Sequence, residues 1–511
     1  MQVCRGRRGR EGFAAVARVV VVGAGMAGLA TAARLATLGH RVTVCEAAGT
    51  VGGKVASYSR DGVTFDTGPS LLTLPAVYRD LFIKTGDPVD SVLEIVPGDP
   101  SFRYHFDDGT VLDVPNGSRT GIRAAHDDAF GAGAGADWDG LIDRAHRIWT
   151  ATRTSFLEAP LGGPAELARL ARRTGDLRAV APLTTLRRLG RRHLRDPRAR
   201  MVLDRYATYT GSDPRRAPAA LAVIPYVEQT FGTWYVRGGL RRLALAVHDR
   251  ALERGATVRT GSAVVEVLVE GGRAAGVRLA SGERLPADVV VSAGDASRLY
   301  GELLRHPDLE RVLRRDRRRL DRAEPSLSAF VLLLALRGRT PGLTHHTVLF
   351  PRDYDAEFDA VFGATPRPVP DPTVYVSAPD DPALRPDDDH EAWFVLVNAP
   401  RHGPVDWRAP GRAESYADRV LDLLAARGLD VRDRLLWRET RTPADLEHDT
   451  GSPGGAIYGS SSNGSRAAFL RPANRSPLSG LFLVGGSAHP GGGLPLVGMS
   501  AAIVADLIGP A

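Results

Sequence analysis

Three glycines near the amino terminus have a spacing that can hold a phosphate chain. Gly23, Gly25 and Gly28 follow the β-branched run that begins at Arg18, and a helix-forming segment comes after them. In this pattern the first glycine permits a tight turn, the second lets the backbone approach a pyrophosphate, and the third lets helix and strand pack closely. The amino end of the helix favours negative charge. The spacing therefore predicts a dinucleotide-binding turn.

An acid follows the next predicted strand at the position that contacts ribose in such sites. The strand Arg41–Cys45 ends at Glu46, whose carboxylate is placed to accept hydrogen bonds from ribose hydroxyls. A carboxylate there disfavours a 2′-phosphate and so disfavours NADP. The sequence has no second strand-linked glycine fingerprint, so we predict no separate nicotinamide site.

Length and composition describe a soluble globular chain. It has 511 residues with 43% hydrophobic and 24% charged residues, and this length favours two or three domains. Cys4 and Cys45 are the only cysteines, so neither a disulfide framework nor a cysteine-based metal cluster is expected. We predict a cytoplasmic protein with no metal site. No uncharged stretch reaches the length of a transmembrane helix, so any membrane contact should be peripheral.

The segment after Glu46 resembles the extended FAD signature shared by amine oxidases, phytoene desaturases and Rab GDP-dissociation inhibitors. The matching residues are Gly52, Gly53, Lys54, Gly62, Asp66 and Gly68. The resemblance places Gly53 and Lys54 near the pyrophosphate, and Gly68, Pro69 and Ser70 near the flavin. It implies FAD as cofactor. Because Cys45 ends a buried strand, we expect the FAD to be bound noncovalently.

In proteins of this kind the FAD domain is assembled from separated segments. Residues 255–267 and 285–294 are predicted as strands that return to the nucleotide sheet, with Val265 contacting the adenosine half through its backbone. Another buried strand spans 481–486, and Pro495 can start a closing helix whose amino end favours negative charge on the reduced flavin. The residues predicted to close the cofactor site are Gly485, Gly486, Gly493 and Pro495.

Four further apolar segments predict an antiparallel sheet for the substrate: 330–336, 346–350, 373–378 and 392–399. The predicted fold class is α/β, with a Rossmann-like FAD domain, an antiparallel-sheet substrate domain and a helical membrane-facing subdomain. The FAD domain comprises 17–75, 232–300 and 478–511, the substrate domain 76–140 and 301–477, and the helical subdomain 141–231. Residues 1–16 are predicted to be a disordered extension.

The span Arg169–Arg205 is strongly basic. It contains 12 arginines against Asp176, Asp196 and Asp204, which leaves a local net charge of +9. Several leucines fall along one helix face: Leu183, Leu186, Leu189 and Leu194. Two interpretations stay open, a basic amphipathic surface for the membrane and a solvated arginine-rich helix. Nucleic acid is disfavoured because aromatic residues do not interleave the arginines.

From about Arg18 to Gly509 the sequence resembles the bacterial carotenoid desaturases of the phytoene desaturase family. The matching segments are 209–214 (YTGSDP), 232–239 (GTWYVRGG), 345–354 (HHTVLFPRDY), 394–400 (FVLVNAP) and 485–495 (GGSAHPGGGLP). The resemblance implies hydride transfer from a long apolar isoprenoid to flavin N5, followed by proton loss, inside a dry tunnel. Since no nicotinamide site is expected, the electron acceptor would be a quinone or oxygen. The enzyme would act at the inner face of the cell membrane.

The resemblance leaves several alternatives open. The segment 485–497 is closer to hydroxycarotenoid 3,4-desaturases and carotenoid end-group oxidases, so the substrate could be phytoene, neurosporene or a hydroxycarotenoid. His489 is a candidate catalytic residue or a structural hydrogen-bonding residue, and His345 and His346 either end a strand or belong to the site. An amine oxidase is a rival enzyme, although aromatic residues make up only 6% of the chain. A non-catalytic prenyl-binding carrier is the rival without redox chemistry.

Overall fold

A computed structural model describes residues 16–161, 181, 183–464, 467 and 471–511. The predicted amino-terminal extension therefore lies outside the described residues, apart from Val16. The described strands are β1 (Arg18–Val22), β2 (Arg41–Cys45), β3 (Ser57–Arg60), β4 (Val63–Asp66), β5 (Leu72–Thr73), β6 (Ile95–Pro97), β7 (Phe102–His105), β8 (Val111–Val114), β9 (Thr233–Val236), β10 (Thr257–Arg259), β11 (Val264–Glu270), β12 (Arg273–Leu279), β13 (Arg284–Pro286), β14 (Val289–Ser292), β15 (Ser328–Arg337), β16 (His346–Leu349), β17 (Val374–Ser377), β18 (His390–Ala399), β19 (Leu435–Arg441) and β20 (Leu481–Leu483).

The described α-helices are α1 (Met26–Thr37), α2 (Ala76–Thr85), α3 (Arg119–Phe130), α4 (Ala134–Thr152), α5 (Leu186–His193), α6 (Pro197–Arg205), α7 (Val223–Phe231), α8 (Arg241–Glu253), α9 (Ala296–Arg298), α10 (Glu310–Arg322), α11 (Tyr354–Phe362), α12 (Arg412–Ala426), α13 (Pro443–Thr450) and α14 (Leu494–Ile508). The chain is thus of mixed α/β class, as the sequence predicts. Within the described residues, every helix is too short or too polar to span a bilayer.

A five-stranded parallel sheet forms the centre of the first region, in the order β10-β2-β1-β14-β20. The valines of β1 are buried on both faces. Val19 and Val21 pack in a cluster with α1, α8 and α14, whereas Val20 packs in a second cluster with β11 and β12. Burial on both faces explains why this strand has a continuous apolar run instead of an alternating pattern.

The return of the chain to this sheet is only partly as predicted. Within 255–267 only β10 joins the parallel sheet, and within 285–294 only β14 does. The strands β11 and β13 belong instead to a separate three-stranded antiparallel sheet with β12. The chain leaves the parallel sheet after Arg259, and Gly261 in the following turn has a φ of +61°. The predicted return to the sheet is therefore confirmed for β10 and β14 and wrong for the remaining strand residues of the two segments.

A seven-stranded sheet, in the order β19-β15-β18-β17-β16-β7-β8, forms the second region. It contains all four predicted segments and is antiparallel except between β16 and β7, which run parallel. Its packed face carries Leu332, Val395 and Val397, which lie under α12 in one cluster. The opposite face is also buried at β15 and β18, where Val331, Leu333 and Phe394 pack with Phe65 of β4. It is called the open face below because Tyr375 and Leu396 on it are partly exposed, although they lie on central strands.

The basic span packs differently from the amphipathic surface considered above. Residues 162–180 and 182 lie outside the described part of the chain. In the described part, Leu186, Leu189 and Leu194 are buried in a cluster inside the protein. Leu183 precedes the helix and is 87% exposed. The apolar face of α5 therefore packs against the protein itself, and of the four leucines expected along one helix face only Leu183 is exposed.

Candidate flavin and substrate site

The glycine loop has the geometry that its spacing predicts. Gly23 adopts a φ of +101°, which L side chains rarely adopt. A Cβ atom on Gly28 would lie 2.0 Å from the carbonyl oxygen of Gly23, so only glycine lets α1 pack this closely on the turn. A Cβ atom on Gly25 would meet nothing nearer than the Cα atom of Gly53, at 4.0 Å. Open space therefore remains beside Gly25, at the amino end of α1, where a diphosphate would be favoured.

Glu46 holds this loop from the end of β2. One carboxylate oxygen accepts a hydrogen bond from the backbone N–H of Ala24 at 2.6 Å, and the other accepts from Ala48 at 2.9 Å. The backbone carbonyl oxygen of Glu46 accepts a hydrogen bond from the N–H group of Ser262, which lies in the turn after β10. Glu46 thus joins the glycine loop to the next segment of the site, in addition to the ribose contact that the sequence predicts.

The predicted adenosine contact, Val265, lies on β11 outside the parallel sheet. Its side chain is 37% exposed. The preceding turn is attached to the end of β2 by two backbone hydrogen bonds, from Gly261 to Ala48 and from Ser262 to Glu46. The segment therefore lies beside Glu46, and contact between Val265 and adenosine stays a prediction.

The second glycine pair meets the first one directly. Gly52 forms a bridge with Gly25, and Gly53 lies against the same residue. The residue Lys54 is exposed, and its Nζ donates to the carbonyl oxygens of Ala456 and Ile457 at 3.2 and 2.6 Å. Desolvation of the ammonium group lowers the pKa of Lys54 to about 8. Lys54 therefore ties the FAD-signature segment to a part of the chain some 400 residues away.

The loop Gly68–Ser70 lies on the carbonyl side of Lys54. A Cβ atom on Gly68 would be 1.7 Å from the backbone oxygen of Lys54, so this position requires glycine. Asp66, just before the loop, accepts hydrogen bonds from the backbone N–H groups of Leu240 and Arg241 at the start of α8. Asp66 therefore has a structural role in fixing the loop, and burial raises its pKa to about 6.

The closing segment has the predicted helix start. Gly493 precedes α14 with a φ of +110°, and Pro495 lies in its first turn. Gly485, at the end of β20, has a φ of +102°, and a Cβ atom on Gly486 would lie 3.3 Å from the Cα atom of Gly492. These close backbone contacts hold the start of α14 near the carboxyl end of β20. The glycine loop lies at the same end of the parallel sheet, after β1.

His489 makes structural contacts. Its Nε2 lies 2.7 Å from the carbonyl oxygen of Phe156 and 3.1 Å from that of Ala159. Asn474 and Ser500 both donate to the His489 carbonyl oxygen. Burial lowers the pKa of the imidazole, which favours its neutral form. The geometry favours the structural interpretation of the two considered above.

Arg471 is a residue of the site that the sequence analysis missed. It is buried, and its guanidinium donates to the carbonyl oxygens of Tyr458, Ser460 and Gly486. Lys54 and Arg471 thus both donate to backbone carbonyls of the segment 456–460, and of the two only Arg471 is buried. No motif marks Arg471, because its partners are backbone carbonyls, which any residue type supplies.

A second group of polar side chains lies on the open face of the seven-stranded sheet. The Tyr375 hydroxyl is 2.7 Å from the Ser70 Oγ and 2.8 Å from the His346 Nδ1. His345 stacks on His346 with a ring separation of 4.0 Å. The two histidines lie at the start of β16, and burial lowers the pKa of His345 to about 4. The predicted flavin loop and the predicted substrate sheet therefore meet at Ser70.

Comparison with known proteins identifies the family. Residues 26–508 match the family of flavin-containing amine oxidoreductases. The chain is 35% identical over 498 residues to the 4,4′-diapolycopene oxygenase of a Methylomonas species, covering 96% of this chain and 98% of the relative. It is 35% identical over 508 residues to the hydroxyneurosporene desaturase of Cereibacter sphaeroides, with the same coverage of 96% and 98%.

Solved structures agree with this assignment at the level of the fold. A putrescine oxidase bound to putrescine superposes with a TM-score of 0.66 at 18% identity, covering 96% of this chain and 98% of that chain. An oxidoreductase from Methanosarcina mazei gives a TM-score of 0.63 at 18% identity, covering 96% and 100%. The chain belongs to the flavin-containing amine oxidoreductase family. It is an FAD-dependent oxidoreductase, and the resemblance to carotenoid desaturases is confirmed.

The residues present fit an FAD molecule. The open space at Gly25 and the start of α1 can take a diphosphate, and Lys54, which follows Gly53, supplies a positive charge on that side. Arg471 supplies a buried positive charge at Gly486 in the closing segment. Cys45 ends β2 with a buried thiol whose pKa is raised to about 11, mainly by burial. Such a thiol is protonated and a poor nucleophile.

Proposed function

We propose that this enzyme desaturates a carotenoid or a carotenoid precursor. The observation that carries the proposal is the similarity, over nearly the whole chain, to a hydroxyneurosporene desaturase and to a diapolycopene oxygenase. The open face of the seven-stranded sheet supports it, because partly exposed apolar residues such as Leu396 and Ile457 lie there. A long isoprenoid needs such an apolar surface.

FAD is held noncovalently by residues from each segment of the site. The proposed contacts are Gly23, Gly25, Gly28, Glu46, Gly53, Lys54, Gly68, Pro69, Ser70, Val265, Gly485, Gly486, Gly493 and Pro495. When bound, FAD supplies a two-electron acceptor for a hydride from an allylic CH2–CH2 unit. The chain itself positions the polyene and excludes water. A strong base is not needed, because a delocalised allylic cation loses its proton readily.

The test is product analysis. FAD-loaded enzyme is incubated in liposomes with phytoene, neurosporene or a 1-hydroxycarotenoid, with and without a quinone. Desaturation predicts a red-shifted absorption spectrum and the loss of two hydrogens in mass at each step. Oxygenated products alone would overturn the proposal and support an end-group oxidase, the function that the diapolycopene oxygenase similarity favours as second candidate.

Flavin reduction by amines and not by polyenes would support an amine oxidase. A purified protein without flavin absorption would support a prenyl-binding carrier.

We propose a quinone or oxygen as electron acceptor. The proposal rests on the single glycine fingerprint and on Glu46, which disfavours a 2′-phosphate. NAD(P) is then neither required nor consumed. Strict dependence of the desaturation on NAD(P) in the liposome assay would overturn this electron path.

We also propose that the enzyme associates peripherally with the inner face of the cell membrane. Leu183 is exposed before α5, Arg188 is exposed in its first turn, and Arg191 and Arg192 are exposed in its last turn. Other arginines of the span are paired within the protein, as Arg187 is with Asp204 and Asp355. Each basic residue near an anionic surface contributes about 1 kcal/mol. Flotation with anionic liposomes should be lost in the R188E/R191E/R192E variant and kept in wild type, and equal flotation of the two would contradict the proposal.

A further inference from the structure

Arg205 is a buried cation in a cage of aromatic rings. It ends α6, and only 8% of the residue is exposed. Its guanidinium carbon lies 4.8 Å from the ring centre of Phe102, 5.1 Å from Tyr209, 5.6 Å from Tyr375 and 5.8 Å from Tyr104. Because the rings surround the cation, their negative faces stabilise it without a direct carboxylate contact.

The hydrogen bonds of Arg205 are incomplete. Nη1 donates to the Tyr209 hydroxyl at 3.0 Å and reaches the Tyr104 hydroxyl at 3.5 Å. Within the described part of the chain, no hydrogen bond is found from Nε or Nη2, and neither is among the fully buried unpaired atoms, so both border accessible space. In the buried Arg250, by contrast, Nε, Nη1 and Nη2 all donate to carbonyl, hydroxyl or carboxylate oxygens. Arg205 therefore has two donors that an added acceptor could use.

A second layer of residues fixes the orientation of this guanidinium. The Tyr209 hydroxyl, which accepts from Nη1, donates onward to Glu228 at 3.2 Å. The same carboxylate accepts from Tyr206 at 2.5 Å. Tyr209 and Glu228 thus hold one side of the guanidinium, and the side with Nε and Nη2 is left for another acceptor. These two are positioning residues.

The cage lies beside the candidate flavin and substrate site. Tyr375, whose ring covers the guanidinium, bonds to Ser70 in the predicted flavin loop. It also lies on the open face of the seven-stranded sheet, paired with Leu396. A polyene on that face would therefore reach Arg205 at one end of its path.

We propose that Arg205 binds an oxygen atom at the end of the polyene substrate, through Nε and Nη2. The inference rests on the proposed function. A hydrocarbon end would displace water from these donors and leave them unpaired, which is costly, whereas a hydroxyl, aldehyde or carboxylate oxygen accepts from them. Arginine suits this task because its planar fork presents two donors in a fixed geometry. The substrate class is thus a linear polyene that already carries a terminal oxygen.

The test compares two probes that differ only at one end, neurosporene and 1-hydroxyneurosporene, in detergent micelles with the FAD-loaded enzyme. The measured quantity is the ratio of their dissociation constants, from quenching of tryptophan fluorescence. Wild type should prefer the hydroxylated probe by about 10-fold or more. Arg205→Met should bring the ratio close to one, and Arg205→Lys should keep part of the preference. Arg250→Met is the control for loss of a buried arginine and should leave the ratio unchanged.

Two results would overturn the inference: no preference for the hydroxylated probe in wild type, or an unchanged ratio in Arg205→Met. If Arg205→Met does not fold, Tyr209→Phe removes the anchor of Nη1 and should lower the ratio while flavin content stays constant. An unchanged ratio in that variant would also count against the site. Turnover is assayed separately, because a binding preference without desaturation would reject the proposed function and retain the oxygen site.

Discussion

The parallel nucleotide sheet and the seven-stranded sheet differ in how completely their two faces are covered. The strand β1 is covered on both faces, with Val19 and Val21 in one core cluster and Val20 in another. The seven-stranded sheet is packed under α12 on one face, whereas its other face is buried at β15 and β18 but partly exposed at Tyr375 and Leu396. The second sheet is therefore less completely covered than the first.

The two regions also differ in how far apart their interacting residues lie in sequence. Gly23, Gly28 and Glu46 belong to one contiguous strand–turn–helix–strand unit, so backbone geometry alone brings them together. Ser70 and Tyr375 are separated by 305 residues and meet only when the two sheets pack. The local spacing of residues predicts a cofactor loop, whereas a surface formed by distant residues such as Ser70 and Tyr375 depends on long-range packing.

The largest effect is expected at the tightest contact of the nucleotide sheet. In Gly28→Ala the new Cβ would lie 2.0 Å from the Gly23 carbonyl oxygen, so α1 must move away from the turn. We expect a destabilisation of about 3 kcal/mol or more and loss of bound flavin. Denaturant unfolding and the flavin absorption spectrum measure both. Gly49→Ala, where nothing lies within 4 Å, is the control and should behave as wild type. A flavin-replete Gly28→Ala protein would contradict the close packing.

The two faces of the seven-stranded sheet can be compared by matched truncations. Leu332 lies on the packed face with no exposed surface, so Leu332→Ala should cost about 2–5 kcal/mol in the free energy of unfolding. Leu396 is partly exposed on the open face, so Leu396→Ala should cost about 1 kcal/mol and weaken polyene binding instead. Urea denaturation and polyene titration separate the two effects. Equal losses of stability would show that both faces are packed alike.

Glu46 allows a smaller test of the nucleotide region. Glu46→Ala removes the acceptor of the Ala24 and Ala48 bonds together with the predicted ribose contact. Hydrogen bonds to a charged group contribute about 1.5–3 kcal/mol, so FAD affinity should fall by at least about 10-fold. Isothermal titration of the apoprotein measures it. Glu283→Ala breaks an exposed ion pair with Arg259 and serves as the control. Unchanged FAD affinity in Glu46→Ala would argue against the site.

The last test concerns the pH dependence of the Arg205 cage. Burial raises the pKa of Glu228 to about 7, whereas the pKa of a glutamate in an unfolded chain is about 4.3. Because the folded pKa is the higher one, this carboxyl contributes stability that is full below the unfolded pKa and is lost as the pH rises to about 7. Glu228→Gln should remove that decline from the stability profile, and the exposed Glu302→Gln should not. Parallel profiles of wild type and Glu228→Gln would contradict the shift.

The sequence by itself determined the nucleotide turn and the class of fold. Gly23, Gly28 and the helix start at Pro495 take the conformations that their types require, because glycine and proline restrict or free the backbone locally. The apolar segments of the seven-stranded sheet could likewise be read from β-branched and aromatic runs. Family resemblance supplied the FAD assignment, which the comparisons support independently.

Only the tertiary structure decided the roles of the charged residues. The sequence does not distinguish the arginines of the basic span. In the structure, Arg187 forms an ion pair with the buried Asp204, Arg188 faces solvent, and Arg205 is surrounded by aromatic rings. Leu186, Leu189 and Leu194 of the same span pack inside the protein, which also depends on the tertiary structure. A charge or an apolar side chain has no fixed partner in sequence, since its energy depends on burial and on which distant groups the packing of the two sheets brings into contact.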